Sequence, residues 1–167
     1  MARYANVPKK NITSNAVTAR DAVPQPIKGV EELTIECLPK AWGQEEIVVN
    51  AAEAGYCGKI LHLRAGWRSS LHRHACKDET FFCVKGRVVL EWFDAADERH
   101  ELMLDGDFRP AVRIHPGTWH RFYAVADPTD PGIVASVVEF STPHADSDVE
   151  RRANTERLTE RPFGYAQ

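Results

Sequence analysis

His72 and His74 stand two residues apart, and Glu79 follows five residues later, all between Gly66 and Gly86. Residues i and i+2 of an extended strand point to one face, so both imidazoles can reach a single ion, and Glu79 can enter from the next strand as a carboxylate ligand. The two glycines mark turns on either side. Farther along, Ile114-His115-Pro116-Gly117-Thr118-Trp119-His120 reads as a Pro-Gly turn feeding a strand whose first inward residue, His120, supplies a fourth candidate ligand. Three imidazoles and a carboxylate match neither the all-thiolate setting of structural zinc nor the all-oxygen setting of calcium. They suit a divalent first-row ion, Mn first, with Fe, Co, Ni or Zn as alternatives. Four protein ligands on an octahedral ion leave two adjacent positions, enough for a substrate to chelate through neighbouring oxygens, as an open-chain hydroxycarbonyl sugar can.

The elements that must position these groups are strands. Short β-rich runs separated by turn signals recur at 45–50, 57–64, 70–74, 80–84, 87–93, 100–104, 112–114, 119–124 and 133–140, while helical periodicity is scarce until the end. Antiparallel strands in this number close most readily into a double-sheet barrel whose mouth accepts a small ligand. Residues 1–30, with Pro24 and Pro26, read as an extended N-terminal arm, 31–143 as the barrel, and 144–167 as a short C-terminal tail. The charged stretch 146–160 is expected to form a short surface helix. The arm and an edge strand at 45–50 offer material for a homodimer.

A chain of 167 residues with 43% hydrophobic content suits one core with flanking arms. A net charge of −3 and a pI near 6.2 leave no basic stripe for nucleic acid, and no apolar run is long enough to span a membrane. The first residues carry no secretory pattern, so the expected setting is cytoplasmic. Cys37, Cys57, Cys76 and Cys83 form no Cys-x-x-Cys pair and read as reduced thiols, mostly in the core. Cys83 shares strand parity with Glu79 and Phe81 and is placed inside the barrel, whereas Cys76 falls in a loop beside the ligands.

The Gly-bounded His-x-His-x4-Glu segment followed by Pro-Gly-x2-His resembles the two sequence motifs of the cupin superfamily, over residues 57–142. The resemblance implies an all-β, cupin-type antiparallel barrel, the double-stranded β-helix or jelly roll, with His72, His74, Glu79 and His120 as metal ligands. One departure is visible: the stretch after Gly106 is longer than the family's second motif, with Pro110 inserted and His115 where proline is common. Two further segments narrow the likeness. Lys77-Asp78-Glu79-Thr80-Phe81 and Val138-Glu139-Phe140-Ser141-Thr142, with Tyr56-Cys57-Gly58-Lys59, look like the D-lyxose isomerase group of cupins. Lys40-Ala41-Trp42-Gly43-Gln44-Glu45 is similar to the opening of the cupin part of bacterial mannose-6-phosphate isomerases. Both relatives interconvert aldoses and ketoses.

The residue types themselves suit that chemistry. Aldose–ketose conversion removes a proton from a carbon beside a carbonyl, holds the resulting enediolate and returns the proton to the neighbouring carbon. A divalent cation stabilises the enediolate oxygens as a Lewis acid. Glu139, an acid on a mostly apolar strand, is the expected base, and Lys77 its catalytic partner. Lys59 and Trp119 are the expected substrate-binding residues, and Trp67, Phe81 and Phe122 can wall the cavity. His62, His100 and His144 read as ordinary hydrogen-bonded histidines, and His115 as a rim residue. The expected function is a metal-dependent isomerase of a small free sugar such as D-lyxose or D-mannose. The alternatives are a non-haem iron dioxygenase, which the same ligand set serves, and a noncatalytic sugar-binding cupin.

Overall fold

The computed structural model of the chain describes residues 29–107, 110–126 and 132–158. Two compact units divide the chain, Met1–Glu32 and Leu33–Gln167, and every strand belongs to the second. All but the last two residues of the expected N-terminal arm lie outside the described residues.

Two antiparallel sheets face each other across one core. The first runs β1 (Glu36–Lys40), β2 (Gly43–Ala51), β3 (Tyr56–Arg64), β11 (Ile133–Ser141), β6 (Glu79–Lys85) and β9 (Ala111–Ile114). The second runs β12 (Val149–Ala153), β5 (Leu71–His74), β10 (Trp119–Ala124), β4 (Trp67–Arg68) and β13 (Glu156–Arg157). In that sheet β7 (Arg87–Phe93) also pairs with β10, and β8 (Arg99–Asp105) pairs with β7. This is the cupin-type jelly roll that the strand count and motifs led us to expect.

Alternation explains which side chains point inward. Along β6, Glu79, Phe81 and Cys83 are buried while Thr80, Phe82 and Val84 are only partly so. Along β11, Ala135, Val137 and Glu139 take the inner face and Phe140 the outer one. Leu61, Leu63, Phe81, Val88, Phe122 and Val137 meet between the sheets. Burying such side chains contributes roughly 1.5–3 kcal/mol each. The two glycines that bound the first motif have φ of +71° at Gly66 and +68° at Gly86, the left-handed region that L side chains avoid. A Cβ at Gly86 would also lie 2.3 Å from the Val134 carbonyl oxygen, so the β6–β7 turn requires glycine.

Three local expectations are corrected. The charged stretch after residue 146 forms no surface helix beyond a single 3-10 turn, Asp146–Asp148; β12 and β13 follow it and pair with β5 and β4. Glu150 sits on the outer strand face, where it meets Arg73 at 2.7 Å. The expected edge at 45–50 is covered from 45 to 47, because β1 pairs along β2 from Lys40–Gly43 to Glu36–Ile47. All four cysteines are free; Cys57 and Cys83 are buried, but Cys37 and Cys76 are exposed, so only half of the set is core.

Candidate metal centre and cavity

Three strands deliver the ligand quartet. His72 and His120 are direct cross-strand partners of β5 and β10, with ring centroids 4.5 Å apart. His74, two residues on along β5, shares their face, and Glu79 opens β6 in the opposite sheet. Its carboxylate lies between the rings: Oε1 is 3.5 Å from His74 Nε2 and Oε2 is 3.2 Å from His120 Nε2. All four residues line one cavity of about 250 Å³.

The outward nitrogens decide how the rings present themselves. Nδ1 of His72 faces the Ser70 carbonyl at 2.9 Å, Nδ1 of His120 faces the Thr118 carbonyl at 3.0 Å, and Nδ1 of His74 faces Asp148 Oδ2 at 3.6 Å. An acceptor at Nδ1 favours the tautomer whose Nε2 lone pair points inward, the form that binds a metal. Burial, with the neighbouring His120, lowers the His72 pKa to about 3, and burial likewise lowers that of His74. Both rings are therefore neutral near pH 7, as metal ligands must be. Glu79 Oε2 and His120 Nε2 are buried without a hydrogen-bond partner. Orphaned buried polar atoms are costly, and a cation between them would satisfy both. The donor set therefore fits a divalent ion.

Beside the quartet lies a carboxylate outside the ligand set. Glu139 comes inward from β11, and the Lys77 ammonium bridges it to Glu79, with a short hydrogen bond to Glu139 Oε1 and one of 2.8 Å to Glu79 Oε1. Ser141 Oγ donates to Glu139 Oε1 at 2.9 Å. Lys77 is only 3% exposed, so it is no solvated loop lysine. Burial opposes its charge, but the carboxylates of Glu139 and Glu79 outweigh burial and raise its pKa above the ordinary lysine value. Burial likewise favours a neutral Glu79, yet His120, Lys77 and His74 hold its carboxyl well below the usual range. A second buried pair, Lys59 with Glu45 at 2.8 Å, lines another wall. There too burial is overcome, and Lys59 lowers the pKa of Glu45.

Lys59, Lys77 and Glu139 thus share the cavity with the quartet. Trp119 does not: its neighbour His120 takes the inner face of β10, so alternation turns the indole outward, where Arg73 stacks on it at 4.6 Å. Phe81 and Phe122 wall the cavity, but Trp67 does not, and Trp42 does so instead. His115 is exposed, 3.7 Å from Asp78. His144, read as ordinary, lines the cavity, held by paired hydrogen bonds between its backbone and Asn50. Glu45 and Asp148 escaped the sequence reading as well. Glu45 had a readable signal, since an acid on a strand next to Lys59 invites a pair; Asp148 had only its place just past the last barrel strand.

Neither a protein-family model nor a curated protein sequence matches the chain. Solved structures do. The capsular polysaccharide assembling protein CapF from Staphylococcus aureus matches at 20% identity and TM-score 0.55, over 76% of this chain and 32% of that one. Oxalate decarboxylase from Bacillus subtilis matches at 10% identity and TM-score 0.56, over 71% and 30%. The Lactobacillus farciminis oxalate decarboxylase formate complex matches at 17% and 0.55, over 76% and 39%. The chain spans about a third of the length of these proteins. They are cupin-fold proteins, and at these identities the likeness is one of fold; it lends no particular support to a D-lyxose isomerase.

Proposed function

We propose that this cupin-fold chain is a metal-dependent aldose–ketose isomerase acting on a small free sugar, with D-lyxose and D-mannose as first candidates and Mn as the first candidate ion. One observation carries the reading: Glu139, a carboxylate outside the ligand quartet, is buried in the same cavity and tied to Glu79 through Lys77. Oxygen activation on three histidines and a glutamate needs no such second acid, whereas moving a proton between adjacent carbons does.

An ion held by His72, His74, Glu79 and His120 would supply Lewis-acid stabilisation to two neighbouring substrate oxygens, worth several kcal/mol. Glu139 takes the proton from the carbon beside the carbonyl; the C–H electron pair becomes the new C–C π bond, and the carbonyl π pair moves onto oxygen. Glu139 then returns its proton to the adjacent carbon, where the C–C π pair forms the new C–H bond, while Lys77 passes the proton of the neighbouring hydroxyl to the former carbonyl oxygen and the pair left on that hydroxyl oxygen closes the new carbonyl, so the sugar is isomerised without net oxidation. Lys77 pairs with Glu139 and is placed to donate to a substrate oxygen. Lys59, Glu45 and His144 offer hydrogen bonds to hydroxyls, and Phe81, Phe122 and Trp42 an apolar wall. A cavity of about 250 Å³ suits a molecule of pentose or hexose size.

The test is to load the metal-free protein with Mn and screen lyxose, xylulose, mannose and fructose for interconversion under anaerobic conditions. Conversion is expected without oxygen, and Glu139→Gln should lower kcat by ~10²–10⁴ with metal content unchanged. Turnover that requires oxygen, or full activity in the Gln variant, would overturn the assignment.

A further inference from the structure

The Asp146–Asp148 turn and β12 supply cavity-lining residues, and one carboxylate in this segment touches the candidate metal centre from behind. Asp148 Oδ1 accepts the amide of Cys76 at 2.9 Å and Oδ2 the amide of Lys77 at 3.0 Å. The backbone carbonyl of Asp148 accepts the amide of Ala75 at 3.4 Å. Three successive amides of the β5–β6 loop therefore converge on one residue more than seventy positions away in sequence. That loop separates His74 from Lys77 and Glu79, so its shape sets the distance between the ligand on β5 and the groups on β6. The same Oδ2 stands 3.6 Å from His74 Nδ1, a buried atom with no hydrogen-bond partner, and Val149 pairs directly with His74 across the strands.

We infer that Asp148 is the positioning residue of the metal centre: it clamps the loop that carries Lys77 toward Glu79 and sets the carboxylate that lies nearest the back of the His74 ring. The inference rests on the metal-binding reading of the quartet and is independent of which substrate the cavity takes. Two kinds of physics combine here. A carboxylate behind a metal-binding imidazole orients the ring and raises its basicity, and such partners typically govern ~10–100-fold in metal affinity. A carboxylate that accepts consecutive backbone amides also removes conformational freedom from the first half of a loop whose far end, Asp78, is tied to Thr142. No backbone carbonyl replaces Asp148 behind His74, whereas Ser70 and Thr118 do this for His72 and His120. His74 is accordingly the imidazole whose back is met by a side chain remote in sequence.

The experiment uses the full chain and compares Asp148→Ala and Asp148→Asn with Glu150→Ala. Glu150 lies two residues on, in β12, but faces outward to Arg73, so its loss tests strand docking alone. Affinities for Mn and Co are measured by competition with a chromophoric chelator, the Co absorption spectrum reports ligand geometry, and thermal unfolding of the metal-free protein reports folding. Asp148→Ala is expected to weaken metal binding ~10–100-fold and to alter the Co spectrum. Asp148→Asn, which keeps one oxygen for the loop but loses the anion behind His74, should fall between it and the unsubstituted chain. Glu150→Ala should leave affinity and spectrum unchanged. Unchanged affinity and spectrum in both Asp148 variants, or an equal loss in Glu150→Ala, would overturn the role. Should Asp148→Ala fail to fold, the Asn variant decides. Failure of the unsubstituted chain to bind either ion would remove the metal reading itself. An inactive protein that still shows the affinity ladder would sink only the sugar isomerase.

Discussion

Two places bring potential metal donors together, and they differ in what those donors already do. On the surface, Asp94, Glu98 and His100 place three donor atoms within 4.8 Å of one another, the tightest such group among the described residues. Inside, the donor atoms of His72, His74, Glu79 and His120 meet no such common limit, although Glu79 approaches His74 Nε2 at 3.5 Å and His120 Nε2 at 3.2 Å. By separation alone the outer triad is the better site. Its atoms, however, are engaged elsewhere. Asp94 Oδ1 accepts the amides of Ala96 and Glu98, each at 2.9 Å, closing the β7–β8 turn. Asp94 Oδ2 meets His100 Nε2 at 2.9 Å, and the His100 ring stacks on Trp92. The inner set is desolvated and carries orphaned atoms on Glu79 and His120. Proximity follows from any well-made turn; unmet bonding capacity away from water calls for a ligand.

The largest effect should separate the two clusters directly. Glu79→Gln should reduce Mn affinity by more than the ~10–100-fold typical of an outer-shell partner, while Glu98→Gln leaves it unchanged, both read by chelator competition. The reverse pattern would exchange the roles of the clusters.

Acid should divide them next. The buried His72 and His74 are neutral in the fold and protonate in the unfolded chain below the ordinary imidazole value of 6.5. Their lowered pKa values make the metal-free fold progressively less stable as pH falls from 6.5 towards the His72 value of about 3. Asp94 works in a lower window: its hydrogen bonds to His100 and to the turn amides depress its carboxyl, so its contribution is present above the ordinary value of 3.8 and is lost below it. Urea midpoints should therefore decline already between pH 6.5 and 4, and His72→Gln should flatten that decline. An unchanged slope in this variant would refute the assignment.

The smallest effect belongs to the surface. His100→Ala removes one exposed hydrogen bond and should change stability by about 0.5 kcal/mol or less, measured by denaturant unfolding. A larger loss would mean that the outer cluster supports the barrel.

The inner set was legible because strand geometry has a period of two. His72 and His74 share parity on β5, and Glu79, Phe81 and Cys83 on β6, so each pattern could be read as one face. The same rule, applied to His120, turns Trp119 away from that face, against the substrate-binding role expected of it. What escaped were elements with little apolar patterning. β1 reads Glu-Cys-Leu-Pro-Lys and β12 reads Val-Glu-Arg-Arg-Ala; each is a strand because a neighbour offers it a ladder, a fact of tertiary structure rather than of local sequence. Asp148 was invisible for the same reason, since its meaning lies in the amides it meets across the fold. Lys77 and Glu139, by contrast, were singled out from the sequence as partners and lie hydrogen-bonded in the structure.

Pro39 has a consequence for how copies of this molecule can meet. It sits within β1, the outermost ribbon of its sheet, opposite Gln44, and being an imino acid it brings no amide hydrogen to that border. A foreign strand aligning there would find the row of donors broken near its middle, which discourages end-on sheet growth and guards the barrel against self-templated aggregation.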